Sequence, residues 1–183
     1  VVVSVYQKKS LESIFQQHLP FREKKLLEAL DHPNISKLLG ALSDSNCLYL
    51  LFDCQSLLTL SSYQLQCQSI GGIGEMLSIY ISACVLSVLR YCHSKSILHR
   101  GLHPGSILLD WKGNVRVSDW TFSKIVEERT YTLCGHVDYL SPEALIGESG
   151  YGRGLDYWAL GVLIFEMLVG RSPFIPVETQ WEQ

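Results

Sequence analysis

Positive charge is not in excess in this chain: 15 Lys+Arg stand against 18 Asp+Glu, a formal charge of -3 over 183 residues. Without a broad cationic field, neither nucleic acid nor an anionic lipid surface is an expected partner. Charge of either sign is scarce at 18%, and 47% of the residues are hydrophobic, which is the opposite of the composition that keeps chains disordered. A packed unit is therefore expected, of the size of one domain. Cys-x-x-Cys pairs and His clusters at ligand spacing are also lacking. The six cysteines (Cys47, Cys54, Cys67, Cys84, Cys92 and Cys134) are irregularly spaced and read as reduced, mostly buried thiols. No basic segment precedes Val1-Val2-Val3, and no uncharged apolar run reaches the roughly 18 residues of a spanning helix. Leu155 to Val169 comes nearest, but Asp156 and Glu166 interrupt it and Gly170 ends it. An intracellular setting, cytoplasmic or nuclear and without a membrane span, follows as the expectation.

Several elements are legible along the chain. Val1 to Tyr6 is rich in β-branched residues and starts in mid-strand without a turn or cap, as though cut from a larger domain. Pro20 introduces Phe21 to Leu30, where Leu26, Leu27 and Leu30 form an apolar stripe beside Arg22, Glu23, Lys24, Lys25 and Glu28, the pattern of an amphipathic helix. Ile35 to Leu42 and Cys47 to Phe52 flank the turn-rich Ser43-Asp44-Ser45-Asn46 and predict a β-hairpin. Ser56 to Gly74 reads as polar and turn-prone. Its Gly71-Gly72-Ile73-Gly74 lacks the strand and the G-x-G-x-x-G spacing of a dinucleotide loop, so a helix entry is expected there. From Glu75 to Ser94 apolar residues occur on nearly every face, as in a helix packed on all sides. Ile107 to Asp110 and Val115 to Ser118 predict two short strands around a turn.

The string Leu98-His99-Arg100-Gly101-Leu102-His103-Pro104-Gly105-Ser106-Ile107-Leu108-Leu109-Asp110 resembles the catalytic loop of protein kinases. Further landmarks follow in the family's order. Ser118-Asp119-Trp120-Thr121 stands where the family has Asp-Phe-Gly, and Thr132-Leu133-Cys134-Gly135 with Ser141-Pro142-Glu143 resembles the end of the activation segment. Asp156 to Gly161 is similar to the start of the family's helix F, and Leu30-Asp31-His32-Pro33-Asn34-Ile35 to the loop after its helix C. Thr130 to Gly135 is most similar to the AGC branch that contains cyclic-nucleotide-dependent Ser/Thr kinases. The resemblance implies an α+β, two-lobed kinase-like fold, incomplete, running from about strand 3 to helix F. Residues 1–53 would belong to the N-lobe and 54–183 to the C-lobe. Arg100-Gly101 and the run from Tyr157 to Ile164 also look similar to plant proteins that join a type 2C phosphatase, cyclic-nucleotide-binding domains and a kinase-like domain.

At most of the catalytic positions the resemblance implies, the required chemistry is absent. The aspartate that accepts the substrate hydroxyl proton falls on Gly101, and such a base is worth about 3 to 5 kcal/mol of barrier. The lysine two positions on becomes His103, and the metal-binding asparagine becomes Ser106. Asp119 alone survives among the magnesium ligands, and one carboxylate is a poor magnesium site. Counting back 19 positions from Glu23, the helix C glutamate, puts the phosphate-gripping lysine on Ser4. Lys8 shares the strand face of Ser4 but lies roughly 13 Å along it, too far to substitute. Asp53-Cys54 would be the hinge of the nucleotide cleft, with Phe52 at its back. His99, Arg100, Pro104, Glu143, Asp156 and Gly161 keep the scaffold positions, and Arg100 with Thr132 keeps the parts of a phosphate clamp.

Plainer readings stand beside these. Asp119 is either a residual metal ligand or a turn-capping carboxylate, and His103 with His136 is either a substitute acid-base pair or two solvated loop histidines, the latter preferred in both cases. Cys134 reads as a structural thiol. Taken together the sequence implies a kinase-like regulatory or scaffolding module with degraded catalytic motifs, weak ATP and magnesium binding at best, and signalling proteins or neighbouring domains of its own polypeptide as partners. The alternatives are a divergent active Ser/Thr kinase that borrows a lysine from preceding strands, and an interaction-only module whose cleft is closed by Phe52 and Trp120.

Overall fold

β-branched Val2, Val3 and Val5 favour extended backbone, and Val2–Gln7 is strand β1 of the computed structural model, which describes residues 2–11, 19–53, 57–67 and 71–174. A single 3-10 turn, Lys8–Leu11, follows it. The amphipathic stretch after it is helix α1, Leu19–Ala29, whose Leu26 and Leu27 are buried. The expected hairpin is present as β2, Lys37–Ser43, and β3, Cys47–Asp53. Its turn is fixed by Asp44, whose carboxylate accepts from the backbone N–H of Asn46 and Cys47 at 2.7 and 2.6 Å. β3 is the central strand of an antiparallel sheet ordered β1-β3-β2, with Ser4 opposite Leu50 and Tyr6 opposite Leu48.

The polar stretch read as turn-prone holds instead a short strand, β4, Leu57–Thr59, and a helix, α2, Leu60–Cys67. Tertiary packing decides this: Leu60 is fully buried and Tyr63 and Cys67 pack on the same core, while Ser61, Leu65 and Gln66 are exposed. The glycine run is the entry to helix α3, Glu75–Ser94. Gly72 has φ +132°, and a Cβ there would lie 2.5 Å from the backbone oxygen of Leu168, so glycine is what lets the entry loop dock on the neighbouring helix.

After α3 come β5, Ile97–Leu98, then β6, Ile107–Asp110, and β7, Val115–Val117, which form the expected pair, and β8, Lys124–Ile125. β4 joins the pair in a sheet ordered β4-β6-β7, and β5 pairs with β8. Two helices close the described chain: α4, Pro142–Ile146, and α5, Gly154–Val169. α3 and α5 cross in the core through Ile81, Val85, Val88, Leu163 and Met167, none of them exposed. The architecture is α+β, as expected.

Three expectations are corrected. α3 is not packed on every side: Met76, Ile79, Tyr80 and Leu86 are exposed along one face. It, and not Leu155 to Val169, is also the described helix long and apolar enough to cross a membrane by length and composition. Its other face is the centre of the core, which is the ordinary reason for such a composition. Of the described cysteines only Cys92 is buried, Cys47, Cys67, Cys84 and Cys134 being half-buried, and all are free thiols.

Candidate functional site

A cavity of about 230 Å³ opens between the β1-β3-β2 sheet and the segment after β7. Val2, Phe52 and Leu108 give it apolar walls, while Ser4, Tyr6 and Ser36 bring hydroxyls and Glu23 and Asp119 carboxylates. Among the described residues no cation lines it. Lys8 lies beyond the end of β1, in the 3-10 turn, and its ammonium donates to the backbone oxygen of Asp44, away from the cavity. Phe52 sits at the cavity wall as expected. Trp120 does not close the cavity: it is 1% exposed, stacked edge-on to His99 at 4.7 Å in the core, and its indole N–H points to the Val117 carbonyl. Asp53 ends β3 and is exposed, and Cys54 lies outside the described residues.

Glu23, on the inner face of α1, is 2% exposed. Its carboxylate accepts from the phenol of Tyr6 and, at 3.3 Å, from the hydroxyl of Thr121. The phenol and the Thr121 hydroxyl are themselves 3.2 Å apart. Burial acts to raise the Glu23 pKa above the ordinary carboxylate range and nearby Asp119 adds to this, more than these hydrogen bonds offset. Burial and the Glu23 carboxylate likewise push the Tyr6 phenol up. Tyr6 is the residue that sequence reasoning missed. It shares a face of β1 with Ser4, two residues away, and points where a basic side chain from this strand would meet Glu23. Thr121, in place of a glycine, completes the tie, and its carbonyl accepts from Arg22 Nη2 at 2.9 Å.

The loop after β5 is held from beneath by Asp156, which is fully buried on α5. Its carboxylate accepts from the backbone N–H of His99 at 3.0 Å and of Arg100 at 2.9 Å, and lies 2.7 Å from His93 Nε2. Burial raises the Asp156 pKa, but the His93 hydrogen bond, His99 and the two backbone N–H groups outweigh it and hold the carboxyl low. This supports Arg100 in the left-handed region, φ 64°. Gly161, expected to be required for the scaffold, lies on the exposed side of α5, where an added Cβ would meet nothing within 4 Å.

Gly101 is buried beside Phe122, and a Cβ built there lies 3.2 Å from the Phe122 ring. Ser106 is fully buried and engages its own loop: its hydroxyl donates to the His103 carbonyl at 2.8 Å and accepts the His103 backbone N–H at 3.1 Å. His103 reciprocates through Nδ1, which accepts the Gly105 N–H at 3.1 Å. These bonds close a one-turn 3-10 helix, Pro104–Ser106, and leave the serine oxygen serving the backbone.

His136 is exposed, as the solvated reading has it, and His103 is half-buried, but the two rings meet. Their ring centroids are 3.7 Å apart, and His103 Nε2 lies 3.9 Å from Asp119 Oδ2. Partial burial and the neighbouring His103 lower the His136 pKa. Asp119 takes a left-handed backbone, φ 56°, with a side chain 40% exposed. Partial burial acts to raise its pKa, but His103, the Thr121 hydroxyl and His99 hold it at about 2.

Arg100 is 4% exposed, with Nε donating to Phe122 O at 2.8 Å and Nη1 to the Tyr151 hydroxyl at 3.1 Å. That hydroxyl donates in turn to the carbonyl of Thr132, so Tyr151 stands between the two residues of the expected clamp. The Thr132 residue is exposed, and Cys134 Sγ lies 3.9 Å from the same hydroxyl.

As a donor set these residues do not fit a magnesium-bound triphosphate. The cavity walls bring two carboxylates and no cation, the Ser106 oxygen is engaged with backbone, and the Asp119 carboxylate is turned to His103 and Thr121. The described residues contain no group of three or more His, Cys, Asp or Glu side chains placed to hold a metal ion.

The family model described as "Protein kinase domain" matches residues 1–183. Among curated proteins, the chain is similar to the cAMP-dependent protein kinase catalytic subunit PRKX of Mus musculus, 39% identical over 159 residues, which are 87% of this chain and 43% of the relative. It is similar also to the cAMP-dependent protein kinase catalytic subunit of Dictyostelium discoideum, 38% identical over 157 residues, 86% of this chain and 24% of the relative. For cAMP-dependent protein kinase type 3 of Saccharomyces cerevisiae the identity is 36% over 152 residues, 83% of this chain and 37% of the relative. The chain thus spans less than half the length of these relatives.

Proposed function

The chain belongs to the protein kinase domain family, and from that premise we propose that it is a pseudokinase module: a Ser/Thr kinase-like scaffold that regulates or organises phosphorylation signalling without transferring phosphate. The observation that carries this reading is the cavity wall, where Tyr6 and Thr121 satisfy Glu23 and no described residue supplies a cation. Phosphoryl transfer is positioning and neutralisation of negative charge, so a cleft presenting two carboxylates to a triphosphate works against it. Gly101 and the backbone-engaged Ser106 act in the same direction at two further catalytic positions.

In this reading ATP and magnesium bind weakly at most, through Asp119. Its partners are signalling proteins or other domains of the same polypeptide, inside the cell and without nucleic acid. The likeness of Arg100-Gly101 and Tyr157 to Ile164 to phosphatase 2C and cyclic-nucleotide-binding fusions suggests the second kind of partner. Regulation enters at Thr132. A phosphate on that exposed threonine would reach Arg100 once Tyr151 yields its place on the guanidinium.

Nucleotide-dependent thermal stability tests the proposal in the full-length protein. Saturating ligand at 100 times its Kd stabilises by about 2.7 kcal/mol, a shift of several degrees. Millimolar ATP with magnesium is expected to leave the unfolding temperature within about a degree of the blank. A magnesium-dependent rise of several degrees that vanishes in Asp119→Asn would contradict it.

A further inference from the structure

Helix α1 is fastened to the later part of the chain at two points. Just beyond its C-terminus the backbone N–H of Asp31 donates to the Tyr91 hydroxyl on α3 at 3.0 Å. The Val117 N–H on β7 donates to the Asn34 carbonyl at 2.7 Å, the Ser36 N–H donates back to the Val117 carbonyl at 3.3 Å, and Asn34 Nδ2 donates to the Val115 carbonyl at 2.9 Å. One anchor of this kind leaves a helix free to swing about it, since hinges are commonly a few residues at the end of an element. The first half of α1 carries the second anchor. The Tyr6 phenol from β1 and the Thr121 hydroxyl from the segment after β7 both donate to one oxygen, Glu23 Oε2, and the Trp120 backbone hydrogen-bonds to the same carboxyl. Arg22, beside Glu23, adds the bond from Nη2 to the Thr121 carbonyl at 2.9 Å.

We propose that the second anchor is a ligand-independent catch: Tyr6, Thr121 and Arg22 hold α1 closed on the cleft segment, and residues 31–36 are the hinge that the catch immobilises. Three elements meet at one carboxyl, with Glu23 from α1, Tyr6 from the sheet, and Thr121 and Trp120 from the segment after β7. Swinging α1 outward therefore breaks several of these bonds together, and leaves a group that is 2% exposed in the closed form without its partners. Every donor and acceptor belongs to this chain, so closure draws on no bound nucleotide. No surface has to be free for it in a longer protein, since Glu23 is buried and Tyr6 and Thr121 are half-buried. The consequence for recognition is one of populations: a partner that reads the closed arrangement meets it already formed and loses no affinity to a minor competent fraction. The catch holds whether or not phosphate is transferred, and so stands apart from the pseudokinase reading.

Hydrogen exchange of the full-length protein, read by mass spectrometry, tests this, because amides exchange through openings whose populations the catch sets. Thr121→Val and Tyr6→Phe each remove one hydroxyl from a half-buried side chain, and circular dichroism checks that both variants fold. Thr121→Val is expected to speed exchange at residues 23–29 of α1 by at least about fivefold, and Tyr6→Phe to do the same at residues 120–122, although neither substitution lies in the segment that loosens. Exchange at Val117, on the hinge side, and at residues 81–89 of α3 is expected to stay unchanged. Tyr49→Phe, which removes a phenol on the neighbouring strand β3 that bonds to Asp44, is expected to leave all of these amides as they are. Millimolar ATP with magnesium is expected to leave α1 exchange in the wild type unchanged. Nucleotide that raises the unfolding temperature without slowing that exchange would support the catch while counting against weak nucleotide binding. Effects confined to the substituted element, loosening that spreads equally to Val117 and α3, or nucleotide that slows α1 exchange by about fivefold or more would overturn the proposal.

Discussion

The phenol of Tyr6, on β1, donates to the buried carboxylate of Glu23, on α1, and so occupies the direction from which a strand cation would reach that carboxylate. The pair joins sheet to helix without a positive charge. Thr121 enters the same network, linking both to the segment after β7.

Removing the phenol oxygen tests the strength of this tie. Tyr6→Phe leaves a buried carboxyl with one partner fewer, and a loss of about 1 to 3 kcal/mol in urea unfolding is expected. The pH dependence has a defined sign. Glu23 is raised in the folded state, so the folded protein holds its proton over a window in which the unfolded chain has released it. Glu23 therefore lowers stability as pH rises from the ordinary glutamate range through its folded pKa, and Glu23→Gln is expected to flatten that slope. An unchanged slope in Glu23→Gln would show that the carboxyl titrates normally.

Asp156 has the opposite sign. Its folded pKa is depressed, so its contribution is complete above the unfolded aspartate value and is lost as pH falls through that value toward the folded one. Asp156→Ala removes the acceptor of two backbone N–H groups and strands His93, and a cost of about 3 to 5 kcal/mol is expected, with the Asp156 share of the acid sensitivity below the unfolded aspartate value disappearing. A cost under about 1 kcal/mol would mean that water replaces the carboxylate without penalty.

Restoring the catalytic aspartate alone is not expected to restore catalysis. In Gly101→Asp the new Cβ presses on Phe122 at 3.2 Å, and His103, Ser106 and the Tyr6-Glu23 pair, which brings no cation, remain. Phosphate incorporation by this variant is expected to match the wild-type background, and a gain of about 100-fold or more, the usual worth of a general base, would show that the rest of the site is competent.

Much of the fold was legible because it rests on local signals. The Asp44 turn, the stripe of α1 and the glycine entry to α3 each lie within a few residues of what they determine. Leu60 to Cys67 was not legible, since its Ser and Gln residues carry no strong period and only contact with the core makes it a helix. The site was legible position by position, through the order of the motifs, but not as a network. Tyr6 and Thr121 are 115 residues apart, and His103 and His136 come together only when their loops fold, so no spacing in the chain announces either contact. Period-two counting along β1, applied to Ser4 and Lys8 alone, would also have put Tyr6 on that face, and that was the signal available for it.

Phosphate transfer by the intact protein is the most direct measure of the central claim. With radiolabelled ATP, magnesium or manganese, and a generic Ser/Thr protein substrate, incorporation is expected to equal the enzyme-free blank and to be unchanged in Asp119→Asn. Sustained turnover that Asp119→Asn abolishes would contradict the account and place an active phosphoryl-transfer site in this cleft.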